Sequence, residues 1–532
     1  MLQPADPNSD AVAPTSAANP AELSQRLRLH KSRWSLIGLI VLIACIGMVR
    51  WRFLDAPLER DEGEFAYGAQ RILVGEIPYV SFYAMKLPGI YVTYAAMFSF
   101  FGETARGIHL GLLFANLSSM VLVYLLGARL FDGPAGLVAA AAFALFTLSP
   151  AVQGTQAQAE HFVVLFALMG SLLLLTAQGR LWQMCAAGMA LGVALVIKQH
   201  GATFGLAAIL YCACVRQWRG AIALAVGWIL PLAATALTFA LLDAWEPFVY
   251  WTWTYPQKYA TAASLHVAWE HFKISLRNQF EWTPLIWIAS LVGLVVLSRQ
   301  PRRGLLLLWL FAACAAMIPG GLFRSHYYLL LMPVAALLVG LAGTRSRLTA
   351  LIVVAAIGWT SVGLARFYAP LTPVELVRTL YAGSYFADSM AISEHLAGES
   401  GPDDMIAVLA SEPQLLFYAK RRSATPHIYM YPLMEGHTDA LTMQRELIAN
   451  VEAARPILIV YTSDPLSWLA REDSPRLLFD WINQYLSEHY YQVGRIECFS
   501  DTPGVLTWGA DLTQVAPLTE RWVGVYRRKA GH

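Results

Sequence analysis

Residues 34–50 read WSLIGLIVLIACIGMVR, and residues 107–127 read GIHLGLLFANLSSMVLVYLLG. Each run is apolar over nearly the length of about 20 residues that a helix needs to cross a bilayer. Between the two runs lies a polar stretch that begins LERDEGEFAY at residue 58. An apolar run, a long acidic loop and a second apolar run predict an integral membrane protein rather than a soluble one.

The composition agrees with a membrane protein. The 532-residue chain is 57% hydrophobic and 14% charged, whereas soluble domains carry about 25% charged residues. The net charge is only +2, so no nucleic-acid partner is predicted. Of the six scattered cysteines, Cys212 and Cys214 form a C-x-C pair inside an apolar run. We interpret them as packing residues rather than metal ligands.

Eleven apolar runs, separated by short charged loops, are candidate spans. They are 34–50, 107–127, 133–151, 160–178, 181–197, 202–215, 220–243, 283–298, 304–319, 327–343 and 348–367. We therefore expect a polytopic α-helical membrane protein with about eleven transmembrane helices and additional interfacial helices in its loops.

The chain divides into three parts. Residues 1–33 are rich in Ala, Pro and Ser and predict a disordered cytoplasmic tail followed by an uncleaved first anchor. Residues 34–368 form the transmembrane module, whose first outer loop is 51–106. Residues 369–532 alternate strand-like and helical stretches, which predicts a small extracytoplasmic α/β domain.

The positions of basic residues predict the orientation. Cytoplasmic loops of membrane proteins are enriched in Lys and Arg, and a cytoplasmic N-terminus places the following arginines of the short loops inside: Arg129, Arg180, Arg216, Arg219, Arg299, Arg302, Arg303, Arg345 and Arg347. The long first loop and the C-terminal domain then lie outside. Short loops and Ala/Leu/Arg-rich spans favour a bacterial inner (plasma) membrane with a periplasmic outer face, and leave the endoplasmic reticulum as an alternative.

Asp61 and Glu62 follow the first span closely. Apolar residues recur after them at helical spacing, which predicts an amphipathic helix that lies in the membrane interface and starts near Asp61. The spacing of Asp61 and Glu64 is also that of a helix cap. Capping and catalysis are equal alternatives for Asp61 at this point.

Four polar groups fall in loops that the orientation places outside: Lys86; Glu160 and His161; Lys198 and His200; and Arg324, His326 and Tyr327. Each has a structural alternative, since Lys86 is placed where lysines snorkel and Glu160 where a helix N-terminus favours an acid. Ionisable groups at the mouth of a span are costly. Their confinement to one side indicates a substrate-binding site there, whereas a transporter places such groups near the midplane.

With these motifs the chain resembles the GT-C glycosyltransferases, in the branch of the protein O-mannosyltransferases and the lipid A aminoarabinose transferase. The resemblance covers residues 34–368. It rests on the acidic pair Asp61-Glu62, the segment Lys86-Leu87-Pro88-Gly89, Glu160-His161, the segment around Lys198, and Arg324-Ser325-His326-Tyr327-Tyr328.

The resemblance implies a hexosyl- or pentosyltransferase that moves a sugar from a polyprenyl-phosphate donor to an acceptor hydroxyl. The reaction is a single displacement with inversion on the outer face of the membrane. Asp61 is implied as the general base, with Glu62 beside it to align the acceptor or to share a divalent metal, the one cofactor left open. Lys86, Arg324 and His326 are implied to stabilise the departing phosphate.

Other functions remain as alternatives. A polysaccharide polymerase or ligase also faces outward, and a flippase or transporter of lipid-linked sugars is a candidate of a different class. The expected partners are the lipid-linked sugar, a lipid, glycan or protein acceptor, and membrane lipids. An aromatic loop predicts either a membrane-interface belt or a stacking surface for sugar or prenyl chains: Trp245, Tyr250, Trp251, Trp253, Tyr255 and Tyr259.

Overall fold

A computed structural model describes residues 20–260, 264–300, 303–497, 502–509, 512 and 516–530. Residues 1–19, most of the predicted tail, and Cys498 lie outside this set. The backbone of the first helix begins at Pro20, so the end of the predicted tail belongs to that helix.

The transmembrane module is helical throughout its described length. Its helices are α1 Pro20–Trp51, α2 Arg60–Leu73, α3 Gly89–Phe101, α4 Ala105–Leu130, α5 Gly133–Leu148, α6 Ala159–Thr176, α7 Leu181–Ile197, α8 Ala202–Cys214, α9 Trp218–Leu241, α10 Trp245–Val249, α11 Tyr255–Ala260, α12 Leu265–Trp282, α13 Pro284–Leu297, α14 Arg303–Met317, α15 Met332–Gly343 and α16 Arg347–Tyr368. A π-helical turn, Tyr250–Thr254, joins α10 to α11.

Each of the eleven predicted spans coincides with a helix, namely α1, α4 to α9 and α13 to α16. Of the helices in the described residues, only five are long and apolar enough to cross a membrane on their own. These are α1, α4, α6, α9 and α16, and the pair α12 and α13, bent by 104°, adds a sixth if it is one span. The number of eleven transmembrane helices therefore stays a prediction. Three predicted boundaries extend past a helix, because residues 150–151, 319 and 327–330 belong to separate 3-10 turns.

Close packing of α7 against α9 fixes the end of α7. A Cβ on Gly188 would lie 2.1 Å from Leu224 O, and a Cβ on Gly227 would lie 2.0 Å from Cys185 O. Small residues let two helix backbones approach in this way. Gly192, nearer the C-terminal end of α7, packs in the same way, since its Cβ would lie 2.4 Å from Trp228 O. The contact thus extends toward the end of α7, which is followed directly by Lys198.

Helix α2 starts at Arg60, as the sequence predicts, but it does not lie free in the interface. All residues of 62–70 are buried. One side packs on the loop and helix that follow, and the other meets the C-terminal domain, where a Cβ on Gly63 would lie 2.5 Å from Gln414 N. The amphipathic pattern of α2 therefore reflects a polar side turned toward protein rather than toward lipid headgroups.

The C-terminal domain is a mixed sheet with helices. Its helices are α17 Pro373–Leu380, α18 Ser389–Gly398, α19 Pro413–Ala419, α20 Tyr431–Met434, α21 Ala440–Ala454, α22 Pro465–Trp468 and α23 Leu477–His489. Its strands are β1 Met405–Leu409, β2 Arg422–Ser423, β3 Leu458–Thr462, β4 Tyr490–Glu497, β5 Val505–Trp508 and β6 Trp522–Arg528.

The strand order is β2-β1-β3-β6-β4-β5. Strands β2, β1 and β3 are parallel and are connected through helices, as expected for an α/β domain. Strands β6, β4 and β5 continue the sheet in antiparallel pairs. The α/β prediction therefore fits the first half of the domain, and the antiparallel half was not predicted.

The C-terminal domain is docked on the first outer loop by hydrogen bonds that backbone N–H groups donate. They run from Ser423 N to Tyr67 Oη at 2.9 Å, from Tyr83 N to Pro426 O at 2.8 Å, and from Leu58 N to Tyr418 Oη at 2.9 Å. Arg60 adds a salt bridge to the buried Glu412. The loop and the domain thus form one continuous surface around the start of α2.

Candidate active site

The cap of helix α2 is built by Glu59 and Glu62. The Glu59 side chain accepts a hydrogen bond from Glu62 N at 2.9 Å, and the Glu62 side chain accepts one from Glu59 N at 3.2 Å. This reciprocal pair is a capping box. The capping interpretation of Asp61 and Glu64 is therefore wrong, and the carboxylate of Asp61 is available for another role.

Glu62 faces away from the contacts that Asp61 makes. Its fully buried carboxylate accepts a hydrogen bond from Ala157 N at 2.6 Å and lies 3.0 Å from His109 Nε2. Neither partner contacts Asp61. The structure therefore gives Glu62 a place in the anchoring of α2 to α4 and to the loop before α6.

Asp61 lies at the edge of a buried ion-pair network. Lys86 Nζ is 3.0 Å from Asp61 Oδ1 and 2.6 Å from Glu64 Oε2. Tyr91 donates a hydrogen bond to the other oxygen of Glu64 at 2.6 Å. The side chain of Asp61 is 27% exposed, whereas that of Glu64 is 3% exposed. One lysine therefore bridges an accessible acid and an inaccessible one.

The C-terminal domain contributes a residue to this network. Tyr429 donates a hydrogen bond to Asp61 Oδ1 at 2.9 Å. Its ring and that of Phe65 flank the ammonium of Lys86, with centroids at 5.6 Å and 4.8 Å. Aromatic faces attract a cation electrostatically. Asp61 and Lys86 are thus held from both the transmembrane module and the C-terminal domain.

The network controls the protonation of its members. Burial alone would raise the pKa of Asp61, but the charge of Lys86, assisted by His326 and Lys198, holds this pKa well below its usual value. Burial raises the pKa of Glu64 despite the same lysine. Burial opposes the charge of Lys86, yet the two carboxylates raise its pKa above the usual value. At neutral pH Asp61 is therefore an anion and Lys86 a cation.

A second polar group lies where α6, α7 and α15 begin or end. Lys198 Nζ is 2.6 Å from Glu160 Oε1, and His326 Nε2 is 3.9 Å from the same oxygen. The ring of Tyr327 lies 4.8 Å from the Lys198 ammonium and packs edge-on against His200. The sequence places these five residues in three separate loops, and the fold brings them together.

Two buried polar atoms of this second group have no hydrogen-bond partner among the described residues: Glu160 Oε2 and His200 Nδ1. Buried polar atoms are nearly always paired, so exceptions call for a reason. Both belong to side chains that the sequence predicts to bind substrate. A polar ligand in this space would complete their hydrogen bonding.

The two groups face the same space. The charges of His326 and Lys198 act on the pKa of Asp61, and Gln199 Nε2 donates to Met85 O at 2.8 Å, next to Lys86. All of these residues come from loops predicted to lie on the outer side.

The remaining predicted residues lie at different places. Arg324 is exposed at the rim, beside Tyr259. His161 is buried, and its Nε2 has no hydrogen-bond partner in the described part of the chain. Its strongest charged neighbour is Arg50, not a member of the two polar groups. Arg50 itself binds Gly154 O and Thr147 O, which are structural contacts.

Sequence reasoning missed Glu64, Tyr91 and Tyr429 as parts of the site. A signal for Glu64 was present, since it lies one helical turn after Asp61 and therefore on the same face. Tyr429 gave no local signal, because it is 368 positions away from Asp61.

The aromatic loop divides between one predicted position, the membrane interface, and a packing role that was not predicted. Trp245 and Trp253 are exposed, as in a membrane-interface belt. Trp251 is buried and stacks on Tyr83 at 4.6 Å, while Tyr255 donates a hydrogen bond to Glu435 at 2.7 Å. The buried aromatics thus attach the first outer loop and the C-terminal domain to the transmembrane module.

A shared metal site at Asp61 and Glu62 does not fit the geometry. The two carboxylates engage different partners on different sides of α2. Within the described residues, no group of three or more His, Cys, Asp or Glu side chains is placed to hold a metal ion. Cys212 is buried and Cys214 exposed, so these two thiols point into different environments.

The contact of Tyr429 with Asp61 gives a first prediction. Tyr429→Phe removes one hydrogen bond to a carboxylate without opening a cavity, and we expect kcat to fall roughly tenfold, the effect of losing one charge-assisted hydrogen bond. The melting temperature should stay close to that of the wild type. Tyr461→Phe in β3, whose ring packs on Trp468 and Trp522, is the matched control. Equal kcat in both variants would contradict a role for Tyr429.

Part of the chain matches a known protein family, and several solved structures share its fold. Residues 86–251 match the family profile described as dolichyl-phosphate-mannose-protein mannosyltransferase. A search of curated proteins finds no match. Among solved structures, ArnT from Cupriavidus metallidurans bound to undecaprenyl phosphate superposes with a TM-score of 0.57 at 15% identity, over 93% of this chain and 98% of ArnT.

Two further structures show the same fold. AglB from Archaeoglobus fulgidus, an oligosaccharyltransferase in complex with an inhibitory peptide and a dolichol-phosphate, gives a TM-score of 0.51 at 12% identity, over 91% of this chain and 75% of AglB. The arabinofuranosyltransferase AftD from Mycobacteria gives 0.52 at 16% identity over 94% of this chain, which spans 40% of AftD. This chain therefore has the fold of these three proteins, and residues 86–251 match a mannosyltransferase family profile, in agreement with the resemblance that its sequence motifs carry.

Proposed function

We propose that this protein transfers a sugar from a polyprenyl-phosphate donor to an acceptor hydroxyl, with Asp61 as the general base. The observation that carries the proposal is the exposure of one acid among buried ones. In the first turns of α2, Glu62 and Glu64 are 0% and 3% exposed, and Asp61 is 27% exposed. Asp61 alone in this set can meet an acceptor. The family match and the three structural neighbours support the same reaction class.

The proposed reaction is a single displacement. The acceptor oxygen forms a bond to the anomeric carbon while the bond from that carbon to the phosphate oxygen breaks. The acceptor proton passes to Asp61, and the bonding electron pair leaves with the polyprenyl phosphate. The leaving group needs positive charge rather than a strong acid, and Lys86 and Arg324 supply it. The product has inverted configuration at the anomeric carbon.

Lys86 also sets the strength of the base. A carboxylate whose pKa is far below its usual value accepts a proton poorly, and Lys86 keeps Asp61 in that state. A donor phosphate at Lys86 draws the ammonium toward a second anion and weakens its hold on Asp61. The base therefore strengthens when the donor is bound. Glu64, fixed by Tyr91, is a positioning residue that keeps Lys86 in place during this exchange.

The second polar group is proposed to bind the sugar of the donor. Glu160 Oε2 and His200 Nδ1 lack partners, and sugar hydroxyls both donate and accept hydrogen bonds. A site with buried polar groups discriminates strongly against ligands that leave those groups unpaired. Lys198 would hold Glu160 beside the sugar through their 2.6 Å salt bridge, and Tyr327 covers the lysine.

The site is proposed to face the outside of a membrane, most simply the periplasmic face of a bacterial inner membrane. The basic inner loops and the gathering of the polar groups on the opposite side support this placement. The Lys86 loop and the Arg324 loop border the transmembrane helices, so a prenyl chain can lie between the helices while its phosphate reaches Lys86.

Accumulation of the donor tests the proposal. In cells that lack this protein, we expect one polyprenyl-phosphate sugar to accumulate on the outer leaflet, measured by mass spectrometry after leaflet-selective labelling. Wild type and Asp55→Asn should clear it, whereas Asp61→Asn should not, at equal expression. Asp55 is the matched control because it lies in the same loop, is exposed and pairs with Arg106. Accumulation on the inner leaflet would instead indicate a flippase.

The proposed coupling of donor binding to base strength predicts a pH dependence. Activity falls as Asp61 gains a proton, so the acid limb of the pH–activity profile lies at the pKa of Asp61. In kcat/KM, which reports the free enzyme, Lys86 holds that limb below the usual Asp pKa of about 3.9. In kcat, which reports the donor complex, we expect the limb at higher pH.

Lys86→Met supplies the control for this pH dependence, because it has no ammonium for the donor to displace. In this variant the acid limbs of kcat and of kcat/KM should lie at the same pH. Initial-velocity assays of its residual activity measure both limbs. A wild-type kcat limb at or below the kcat/KM limb would contradict the coupling.

A further inference from the structure

We propose that a groove on the C-terminal domain is a binding site for a neutral glycan, separate from the Asp61 site. The groove lies between the end of α21, one face of α23 and the end of β6, and its cavity of about 600 Å³ is of the size that small-molecule sites usually have. Its main lining residues are Trp481, Tyr485, Glu452, Glu488, Arg455 and Arg528.

The periodicity of α23 separates the groove from the core of the domain. Ile482 and Leu486 are buried on one side of the helix. Trp481, Tyr485 and Glu488 recur at spacings of three and four residues, which places them together on a neighbouring face, about 100° around the helix from Ile482 and Leu486. Exposure of large aromatic side chains to water is unfavourable. Their presence on this face of the helix therefore indicates a binding surface.

The outer face of Trp481 is an aromatic platform. Trp481 and Tyr485 are stacked with centroids 4.7 Å apart and an interplanar angle of 20°. Tyr485 covers one face of Trp481 and itself contacts His489 and Tyr490, while the half-buried Trp481 presents its other face to the groove. The face of an aromatic ring is electron-rich, and one face of a sugar ring presents only C–H groups. A sugar ring therefore fits flat on this platform.

The rim of the groove has the hydrogen-bonding groups that hydroxyls need. Glu452 accepts a hydrogen bond from Trp481 Nε1 at 2.8 Å, which fixes the tryptophan ring. Glu488 lies on the same helix face, and Arg455 and Arg528 complete the lining. Carboxylates and guanidinium groups bind two neighbouring polar atoms at once, a geometry that adjacent hydroxyls of a sugar match.

The balance of charge selects the class of ligand. Two acids face two arginines in the lining, which Gln484 and His489 complete, so the groove has no marked excess of charge to attract a phosphate or an acidic polymer. A neutral oligosaccharide is the occupant that agrees with the aromatic platform, the polar rim and the charge. The inference rests on the proposed function only in making this glycan the acceptor, whose distal sugars the groove would hold while its hydroxyl reaches Asp61.

Binding by the full-length protein in nanodiscs tests the inference. The probes are maltohexaose and cellohexaose, with a galacturonic acid hexamer as the charged comparison, and the measurement is saturation-transfer NMR followed by equilibrium dialysis. We expect at least one neutral hexamer to bind, and Trp481→Ala to weaken it by about tenfold or more, since the aromatic contact is lost. Trp481→Phe should retain most of the affinity, and Trp269→Ala, at an exposed tryptophan in α12, should change nothing.

Three results would overturn the inference. They are the absence of binding by both neutral hexamers, equal affinity of the wild type and Trp481→Ala, and preference for the galacturonic acid hexamer. If Trp481→Ala does not fold, Glu452→Gln on the rim takes its place with the same expectation. Asp61→Asn should bind the hexamer like the wild type even when it has lost transfer, so failure of the groove and failure of the catalytic proposal are distinguishable.

Discussion

Asp61→Asn is expected to lower kcat by about 100- to 10,000-fold, the contribution of a positioned general base. Asparagine has the same shape, and its amide oxygen still accepts the hydrogen bond from Tyr429, but it cannot take the acceptor proton. Lys86 keeps its closer contact with Glu64 at 2.6 Å. The fold should therefore persist, and the loss should appear in kcat with little change in the KM of the donor.

The measurement is the initial rate of transfer by purified protein in proteoliposomes, with a thermal melt of each sample. Asp55→Asn, the same substitution at an exposed acid of the same loop, should match the wild type in both. A kcat of Asp61→Asn equal to that of Asp55→Asn would show that Asp61 is not the base.

Lys86→Met is expected to impair both activity and stability. The lysine is buried between two carboxylates, and removal of one partner from a buried ion pair costs about 3–5 kcal/mol. We place this variant at the lower end, because Asp61 is partly exposed and solvent screens its charge. The loss of positive charge at the departing phosphate should lower kcat by about 100- to 1,000-fold. Denaturation in detergent and transfer rates measure the two effects separately.

The double variant Lys86→Met, Glu64→Gln separates a structural lysine from a catalytic one. Glutamine removes the uncompensated buried charge and still accepts the hydrogen bond from Tyr91, so the melting temperature should recover. The transfer rate should not recover, because the phosphate still lacks its cation. Recovery of the rate together with stability would show that Lys86 acts only on the fold.

The sequence predicts those parts of the structure that local patterns decide. The eleven apolar runs match helices because length and hydropathy decide a membrane-buried helix. The polar residues Glu160, Lys198 and His326 meet in the fold, which agrees with the prediction that their loops lie on one side of the membrane. The strand and helix stretches near β1, β3 and α23 were visible as alternating patterns.

Contacts between distant segments were beyond this kind of reasoning. The sequence contains two spacings that fit a capping box, and only the packing of α2 against Ala157 and His109 decides that Glu59 and Glu62 form it. Tyr429 joins Asp61 through docking of the C-terminal domain, a tertiary arrangement with no local signature. The burial of Lys86 likewise depends on Phe65 and Tyr429. Without bound donor, Lys86 is therefore neither a snorkelling lysine nor an open phosphate site.

The most direct test of the central claim uses the protein and its own donor. A lipid extract from cells that lack the protein is incubated with purified wild type, Asp61→Asn or Asp55→Asn in nanodiscs, together with envelope fractions as the source of acceptor. Mass spectrometry then follows each polyprenyl-phosphate sugar. We predict that wild type and Asp55→Asn convert one such lipid to free polyprenyl phosphate and that Asp61→Asn does not. Consumption of that lipid by Asp61→Asn at the wild-type rate, or consumption of no lipid-linked sugar by the wild type, would contradict the account.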